Sequence, residues 1–276
     1  MKNSIYYLRK QILKAGLILI TSILVLSSCE EVIEIDLNSS NPVLVAEGVM
    51  EKDSVMRIKL SYTTDYFNNE ETKYEEEAVV VITDDNSNSE TLSYIGKGIY
   101  KGNALLGKVD KHYTLNIETG ENKYVASSFL MAPSEIYEIV ISESEMKRPG
   151  KDEVRYSLEV KFKDDPLTEN FYMIKFIVNS EFDNYSLVDD NIFINGDTIS
   201  YPVMRKSFFK SDEVIINLYS VDKDTYRYYK QLNEAISDGK GPGGSSTPYN
   251  PSSNLGEDVM GYFAAWSYVA DTVVIQ

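Results

Sequence analysis

Hydrophobic and polar residues alternate along most of the chain, in short runs separated by turn-forming residues. VLVAEGVM and VMRIKLSYT, at 43–50 and 55–63, are joined by the turn-rich EKDS, and similar runs follow them. Alternation with period two predicts strands with one buried face, and turn signals every 8–12 residues or so are typical of a β-sandwich. We therefore predict a mainly β protein that begins with an immunoglobulin-like β-sandwich over residues 42–132.

The segment GKVDKHYTLNIET adds a more specific signal to this half. Tyr113 follows a Gly- and Asp-containing corner, as does the corner tyrosine of immunoglobulin-like folds, whose hydroxyl bonds nearby backbone. A tyrosine on any half-buried strand would give a similar local pattern, so both interpretations stay open. His112, the only histidine, then lies on the opposite strand face, where a surface role is favoured over a catalytic one.

The second half, residues 133–276, is predicted to be another β-rich domain, with Pro133 at the boundary. Its period changes once, in DKDTYRYYKQLNEAIS, which predicts a helix near residues 222–237 with Asp222 or Asp224 as its cap. The helix should pack one stripe on a sheet, formed by Tyr226, Tyr229, Leu232, Asn233 and Ile236. The stretch VMGYFAAWSYVADTVVIQ predicts two further strands.

The N-terminal residues read as a targeting segment. Residues 1–28 combine four basic residues, no acid, and the apolar run AGLILITSILVL, which is typical of a secretory signal peptide. Leu26-Ser27-Ser28-Cys29 resembles a bacterial lipobox, which makes Cys29 the expected site of lipidation and residues 29–41 a tether. An uncleaved N-terminal anchor is the alternative. Glu30 and Glu31 resemble the surface-export signal of Bacteroidota lipoproteins, so we expect the outer face of the outer membrane, with the periplasmic face as the alternative.

The amino-acid composition limits the classes of partner that the protein can bind. The chain has 43% hydrophobic residues, enough for packed cores, and a formal charge of −16. Loss of residues 1–28 removes four basic residues and no acid, which lowers the formal charge from −16 to −20. Such a charge argues against nucleic acid as a partner and against electrostatic attachment to anionic lipid.

The sequence offers few candidate catalytic or metal-binding residues. DDNSNSE, at 84–90, has the alternating oxygen ligands of a calcium loop, but Ser89 and Ile95 stand where an EF-hand has glycine and glutamate. A polar hairpin turn is therefore favoured over a calcium site. We expect no metal, no cofactor and no catalytic residue. Paired carboxylates of a surface glycan hydrolase remain the enzymatic alternative.

A contact region is predicted near the C-terminal end. The segment 239–256 is rich in Gly, Pro and Ser and is flanked by aromatic residues, and long loops on rigid sheets often bind ligands. We expect Tyr249, Asn254 and Trp266 to contact a ligand or partner. The competing interpretation is a disordered connector with Trp266 in the core.

Two stretches carry a family resemblance. Leu44-Val45-Ala46-Glu47-Gly48 after Cys29, and Ser253-Asn254 followed by Gly261-Tyr262-Phe263, resemble Bacteroidota lipoproteins of the domain-of-unknown-function family 4249. Such proteins are commonly encoded beside TonB-dependent receptors. The resemblance therefore implies a non-enzymatic accessory of nutrient uptake that binds a glycan or peptide ligand, or the transporter itself.

Overall fold

Strands form most of the molecule, as the alternating pattern predicts. The computed structural model describes residues 41–64, 71–143, 154–164, 168–189, 198–203, 207–237 and 249–276. Cys29, Glu30, Glu31 and the predicted signal peptide lie outside these residues. In chain order the elements are β1 Leu44–Glu51, β2 Val55–Tyr62, β3 Val79–Asp84, β4 Ser89–Thr91, β5 Ser93–Gly96, β6 Ile99–Leu106, β7 Lys111–Thr119, β8 Asn122–Leu130, β9 Ile136–Glu143, β10 Tyr156–Lys163, β11 Phe171–Val178, β12 Glu181–Asp189, β13 Thr198–Pro202, β14 Glu213–Val221, α1 Lys223–Ser237 and β15 Val259–Val274.

The first half is the predicted immunoglobulin-like sandwich. Its two layers are the β1-β2-β6-β5 part of an eight-stranded sheet and a four-stranded sheet ordered β4-β3-β7-β8. Between them lies a core of aliphatic residues that includes Leu60, Leu115 and Ile117, all fully buried. Tyr113 is the corner tyrosine: its buried hydroxyl accepts a hydrogen bond from Lys108 N at 2.7 Å and faces Leu106 O at 3.4 Å. His112 is exposed on the opposite face of β7, as predicted.

The second half repeats the two-layer plan. The β12-β11-β14-β15 part of the eight-stranded sheet faces a three-stranded sheet ordered β13-β10-β9. Leu158, Phe162 and Phe176 belong to the core between them. The predicted boundary near Pro133 falls between β8 and β9, where the chain passes from the first core to the second.

The last strand joins the two halves. β15 runs unbroken through 16 residues, where two strands were predicted, because no turn-forming pair interrupts it and its middle residues are buried on both faces of the sheet. It pairs in parallel with β1 along its first half and antiparallel with β14 along its second half. Phe263 belongs to the first core, while Val273 packs on the second. Both sandwiches therefore share one strand, and residues 41–276 form one unit.

The helix lies on the other face of the large sheet. α1 confirms the helix predicted near 222–237, and Asp222 is its cap, since Asp222 Oδ1 accepts a hydrogen bond from Thr225 N at 2.7 Å. Tyr226 is buried against the sheet and Tyr229 is half-buried, but Ile236 is 57% exposed, so the predicted stripe fades towards the helix C-terminus. Within the described residues, no helix has the length and apolar character needed to span a membrane.

Candidate functional site: an aromatic cavity beneath the helix

A cavity of about 410 Å³ lies between α1 and strands β1, β11 and β15. We call it the aromatic cavity. Its volume falls within the range of small-molecule sites, and Glu47, which is exposed, marks its opening to solvent. The side chains that define its chemistry are Glu47, Lys175, Tyr228, Tyr229, Tyr262 and Trp266.

Strand alternation places Glu47, Tyr262 and Trp266 on the face of the large sheet that lies below α1. In the parallel pair of β1 and β15, Glu47 is opposite Tyr262 and Glu51 is opposite Trp266. Neighbouring positions along β15, such as Phe263, point the other way into the first core. The same strands that build the sandwich core therefore also supply the floor of the cavity.

A hydrogen-bond network fixes the helix above this floor. Besides capping α1, Asp222 accepts hydrogen bonds through Oδ2 from Ser128 Oγ at 2.6 Å and from Phe129 N at 2.9 Å. Ser128 Oγ in turn accepts a hydrogen bond from Ala265 N at 2.8 Å. One carboxylate thus ties the start of the helix to β8 and, through Ser128, to β15, which holds the roof of the cavity in a set position.

The tyrosine rings form flat walls. Tyr228 stacks on Tyr262 with ring centroids 4.7 Å apart and an interplanar angle of 25°. Tyr229 lies edge-on to Tyr185 at 5.6 Å and packs against Trp266 at 6.2 Å. Burial raises the pKa of Tyr228, Tyr229 and Tyr262, so these walls stay uncharged at neutral pH. Flat, uncharged rings with polar hydroxyls suit a sugar face or an aromatic side chain.

Lys175 is the one cation among the residues that line this cavity. Its Nζ lies 4.4 Å from the ring centroid of Tyr219 and 5.0 Å from that of Trp266. Burial lowers the pKa of Lys175, and the Glu51 carboxylate partly opposes this effect. Among the described residues Nζ has no ion-pair partner, because Glu51 Oε1 instead accepts a hydrogen bond from Trp266 Nε1 at 3.1 Å.

Three larger clefts, of about 760, 560 and 420 Å³, lack this combination. No lysine or arginine lines the smallest of the three. The first is lined by residues 41–44 and 250–260 among others, and no lysine or arginine lines it. The second contains Lys163, but that ammonium is paired with Glu135 at 2.6 Å. The aromatic cavity is therefore our candidate functional site.

Of the three predicted contact residues, one lines this cavity. Trp266 is 4% exposed, which agrees with the interpretation that it belongs to the core. It also forms part of the cavity floor, where it could contact a ligand as predicted. Tyr249 is 41% exposed, and its hydroxyl donates to Gln231 O at 3.2 Å and Glu234 Oε2 at 3.0 Å, which pins the chain to α1. Residues 238–248 lie outside the described residues.

The family of the chain follows from its match to a family model. The model described as "Domain of unknown function (DUF4249)" matches residues 30–272. The chain belongs to the DUF4249 family. No curated protein matches it. Among solved structures, a segment of two fibronectin type III domains from chicken tenascin matches with 11% identity and a TM-score of 0.21, and covers 65% of this chain and 91% of that one.

Asn254 and Gly261, from the stretch that resembles DUF4249, have structural roles. The Asn254 amide donates to Phe263 O at 2.8 Å and accepts from Phe263 N at 3.0 Å, as a neighbouring strand would. The Asn254 amide thus holds β15 in place, and the contact predicted between Asn254 and a partner stays a prediction. Gly261 has φ of 86°, and a Cβ there would lie 2.1 Å from Ala46 O, so only glycine fits.

The favoured hairpin turn at 84–90 is present. Asp84 Oδ1 accepts hydrogen bonds from Asn86 N at 3.0 Å and Asn88 N at 2.8 Å, which closes the turn between β3 and β4. Within the residues that the structure describes, no group of three or more His, Cys, Asp or Glu side chains could hold a metal ion.

Sequence reasoning missed Lys175, Tyr228 and Tyr262 as site residues. One signal could have located Lys175: it is the only charged residue in FYMIKFIV, the apolar strand β11. A charge inside such a strand is costly unless it is paired or functional. No comparable signal marked the tyrosines, because buried and contacting tyrosines look alike in sequence.

Proposed function

We propose that this protein is a non-enzymatic lipoprotein of the outer-membrane surface that assists a TonB-dependent uptake system by binding a nutrient ligand in the aromatic cavity. The observation that carries the proposal is the half-buried ammonium of Lys175, which has no ion pair or hydrogen bond among the described residues and borders an open cavity with aromatic walls. A charge that is partly removed from water is normally paired, so a cation without an ion pair in a cavity supports a ligand role.

The membrane part of the proposal rests on the order of basic residues, apolar run and lipobox before Cys29. Mass spectrometry of the native N-terminus should show a lipid-modified Cys29, because acyl chains supply the membrane anchor. Cys29→Ala should release the protein into the soluble fraction. Unchanged membrane retention of that variant would contradict the anchor.

Surface display is tested on intact cells. Added protease should remove the protein from cells whose outer membrane is intact. Glu30→Ala/Glu31→Ala should leave the lipidated protein inside, where protease cannot reach it. If the double variant stays accessible, the two acids are not the export signal, and the periplasmic face is excluded as well.

The ligand role is tested by uptake. Tyr228→Ala removes one wall of the cavity at a half-buried position, so we expect a fall in nutrient uptake with little change in melting temperature. Tyr137→Ala, at an exposed tyrosine on β9 that does not line the cavity, is the control and should leave uptake unchanged. Equal uptake by both variants would remove the cavity from the proposal.

Contact with the receptor is assigned to the exposed ring of Tyr249 and the segment 239–248 beside it. Replacing residues 240–248 with a short Gly-Ser linker should leave the melting temperature unchanged, since the entropic cost of closing a connecting segment changes only slowly with its length. Co-purification with the neighbouring receptor should fall. Wild-type association of the shortened protein would contradict this contact.

The enzymatic alternative, a surface glycan hydrolase, has its own test. Release of products from glycans by the purified protein would favour the hydrolase over the binding role.

A further inference from the structure

The lysines of this chain differ in how their charge is balanced. Lys111 and Lys161, which are half-buried, and Lys163, which is exposed, each pair with a carboxylate, at 2.6, 2.9 and 2.6 Å. Acidic residues outnumber basic ones by 43 to 27, so partners are abundant. Lys175 is half-buried too, and burial lowers its pKa, but it has no ion pair among the described residues.

Aromatic contacts stabilise the charge of Lys175 but leave its hydrogen-bonding capacity unused. The rings of Tyr219 and Trp266 stabilise the positive charge through their faces, but they accept none of the three N–H bonds of the ammonium. Glu51 is oriented by the Trp266 indole N–H, so its carboxylate remains a neighbour of Lys175 without bonding it. Within the part of the chain that the structure describes, the N–H bonds of the ammonium therefore have no acceptor at the wall of the aromatic cavity.

The rest of the cavity restricts the body of a ligand. The stacked pair of Tyr228 and Tyr262 offers a flat surface, and Leu232 adds an apolar side chain. At about 410 Å³ the space suits one ring-sized group rather than a long chain. The only acid that lines the cavity is Glu47 at its opening, which disfavours an anion there and leaves Lys175 as the anchor for a negative group.

We propose that the aromatic cavity binds a small carboxylate with a ring-shaped body, whose carboxylate bonds the Lys175 ammonium while its ring packs on the tyrosine wall. A charge-assisted hydrogen bond in a partly buried site is stronger than one in water, and it supplies the missing partner. This inference rests on the proposed function and names its ligand class. Two sources share the chemistry: a uronic acid, or the C-terminal aromatic residue of a peptide.

The chain carries its own probe for the test. Trp266 is the only tryptophan, and it lies in the cavity floor, so its emission reports on this site alone. The ligands are two matched pairs, each an acid and its neutral analogue: methyl glucuronide with methyl glucoside, and N-acetylphenylalanine with its amide. We expect one acid to change Trp266 emission until the signal saturates. The concentration of this acid at half-saturation should be at least tenfold below that of its neutral analogue. Which acid does so identifies the source.

Variants assign the effect to Lys175. Lys175→Met should abolish the preference for the acid, whereas Lys175→Arg should keep part of it. Lys161→Met, which removes a surface lysine paired with Glu138, is the control and should bind as the wild type does. A second readout is labelling of Lys175 by an amine-reactive reagent, followed by peptide mass spectrometry, which the bound acid should slow at Lys175 but not at Lys161.

Several results would overturn the inference. These are no response to either acid by emission or labelling, equal affinity for acid and neutral analogue, or an unchanged acid preference in Lys175→Met. Nutrient uptake that still depends on Tyr228 would then preserve the proposed function and remove only the carboxylate. Uptake that is unchanged in Tyr228→Ala, together with no acid binding, would remove the cavity from the account altogether.

Discussion

The core of the first sandwich and the aromatic cavity both contain buried tyrosines, but they treat their polar atoms differently. In the first core, the Tyr113 hydroxyl accepts a hydrogen bond from Lys108 N at 2.7 Å, and the Tyr100 hydroxyl accepts one from Ala78 N at 3.0 Å. Behind the cavity, the buried Tyr185 hydroxyl has no partner within the described residues, and the Lys175 ammonium has no ion pair there.

This difference distinguishes tyrosines that stabilise a core from tyrosines that could bind a ligand. Buried polar groups in native proteins are nearly always satisfied, because an unsatisfied one costs about 1–3 kcal/mol. A core selected for stability alone would remove such groups, as the first core has. The Tyr185 and Tyr262 hydroxyls, which lack partners among the described residues, lie beside or in the cavity, and this is consistent with the proposed binding role.

Truncation of apolar side chains should give the largest effect. Leu115→Ala, in the fully buried first core, should lower the free energy of unfolding by about 2–5 kcal/mol, because it leaves a void that the packed sheets cannot fill. Leu232→Ala, at the half-buried cavity wall, should cost less than about 1.5 kcal/mol. Urea denaturation measures both, and equal losses would erase the distinction between the regions.

Alkaline pH should destabilise the aromatic side of the sheet. Burial raises the pKa of Tyr219 from 10.0 to about 12. Between these values the unfolded chain releases a proton that the folded protein retains, so stability falls as pH rises through this window. Two pKa units correspond to at most about 2.7 kcal/mol. Tyr219→Phe should reduce the loss measured by urea denaturation between pH 10 and 12, and an unchanged pH dependence would contradict the assignment.

Two matched hydroxyl deletions compare the regions most closely. Tyr113→Phe removes the buried hydroxyl that accepts a hydrogen bond from Lys108 N, so it should cost about 0.5–1.5 kcal/mol. Tyr185→Phe removes a hydroxyl that has no partner among the described residues, so it should change stability by less than about 0.5 kcal/mol or increase it. Chemical denaturation of the pair provides the measurement. Equal costs would mean that Tyr185 is bonded in solution.

Sequence predicted much of the fold but little of the site, for a physical reason. Alternation and turn signals are local, so they located β1, β2, the corner at Tyr113 and the helix capped by Asp222. The cavity depends on long-range pairing, since β15 must lie in parallel beside β1 before Trp266 can approach Lys175. No local pattern encodes that parallel pair. The burial of Trp266 and the backbone role of Asn254 follow from the same pairing.

The most direct test of the central claim is the free energy of unfolding of Lys175→Met. Methionine keeps the apolar stem and removes the half-buried charge, which is costly to desolvate without an ion pair. The lost contacts with the faces of Tyr219 and Trp266 are worth about 0.5–2 kcal/mol and roughly offset that gain. We predict a stability equal to or above that of the wild type, together with loss of acid binding. A loss of more than about 3 kcal/mol, the cost of breaking a buried ion pair, would show that Lys175 is structural and would contradict the account.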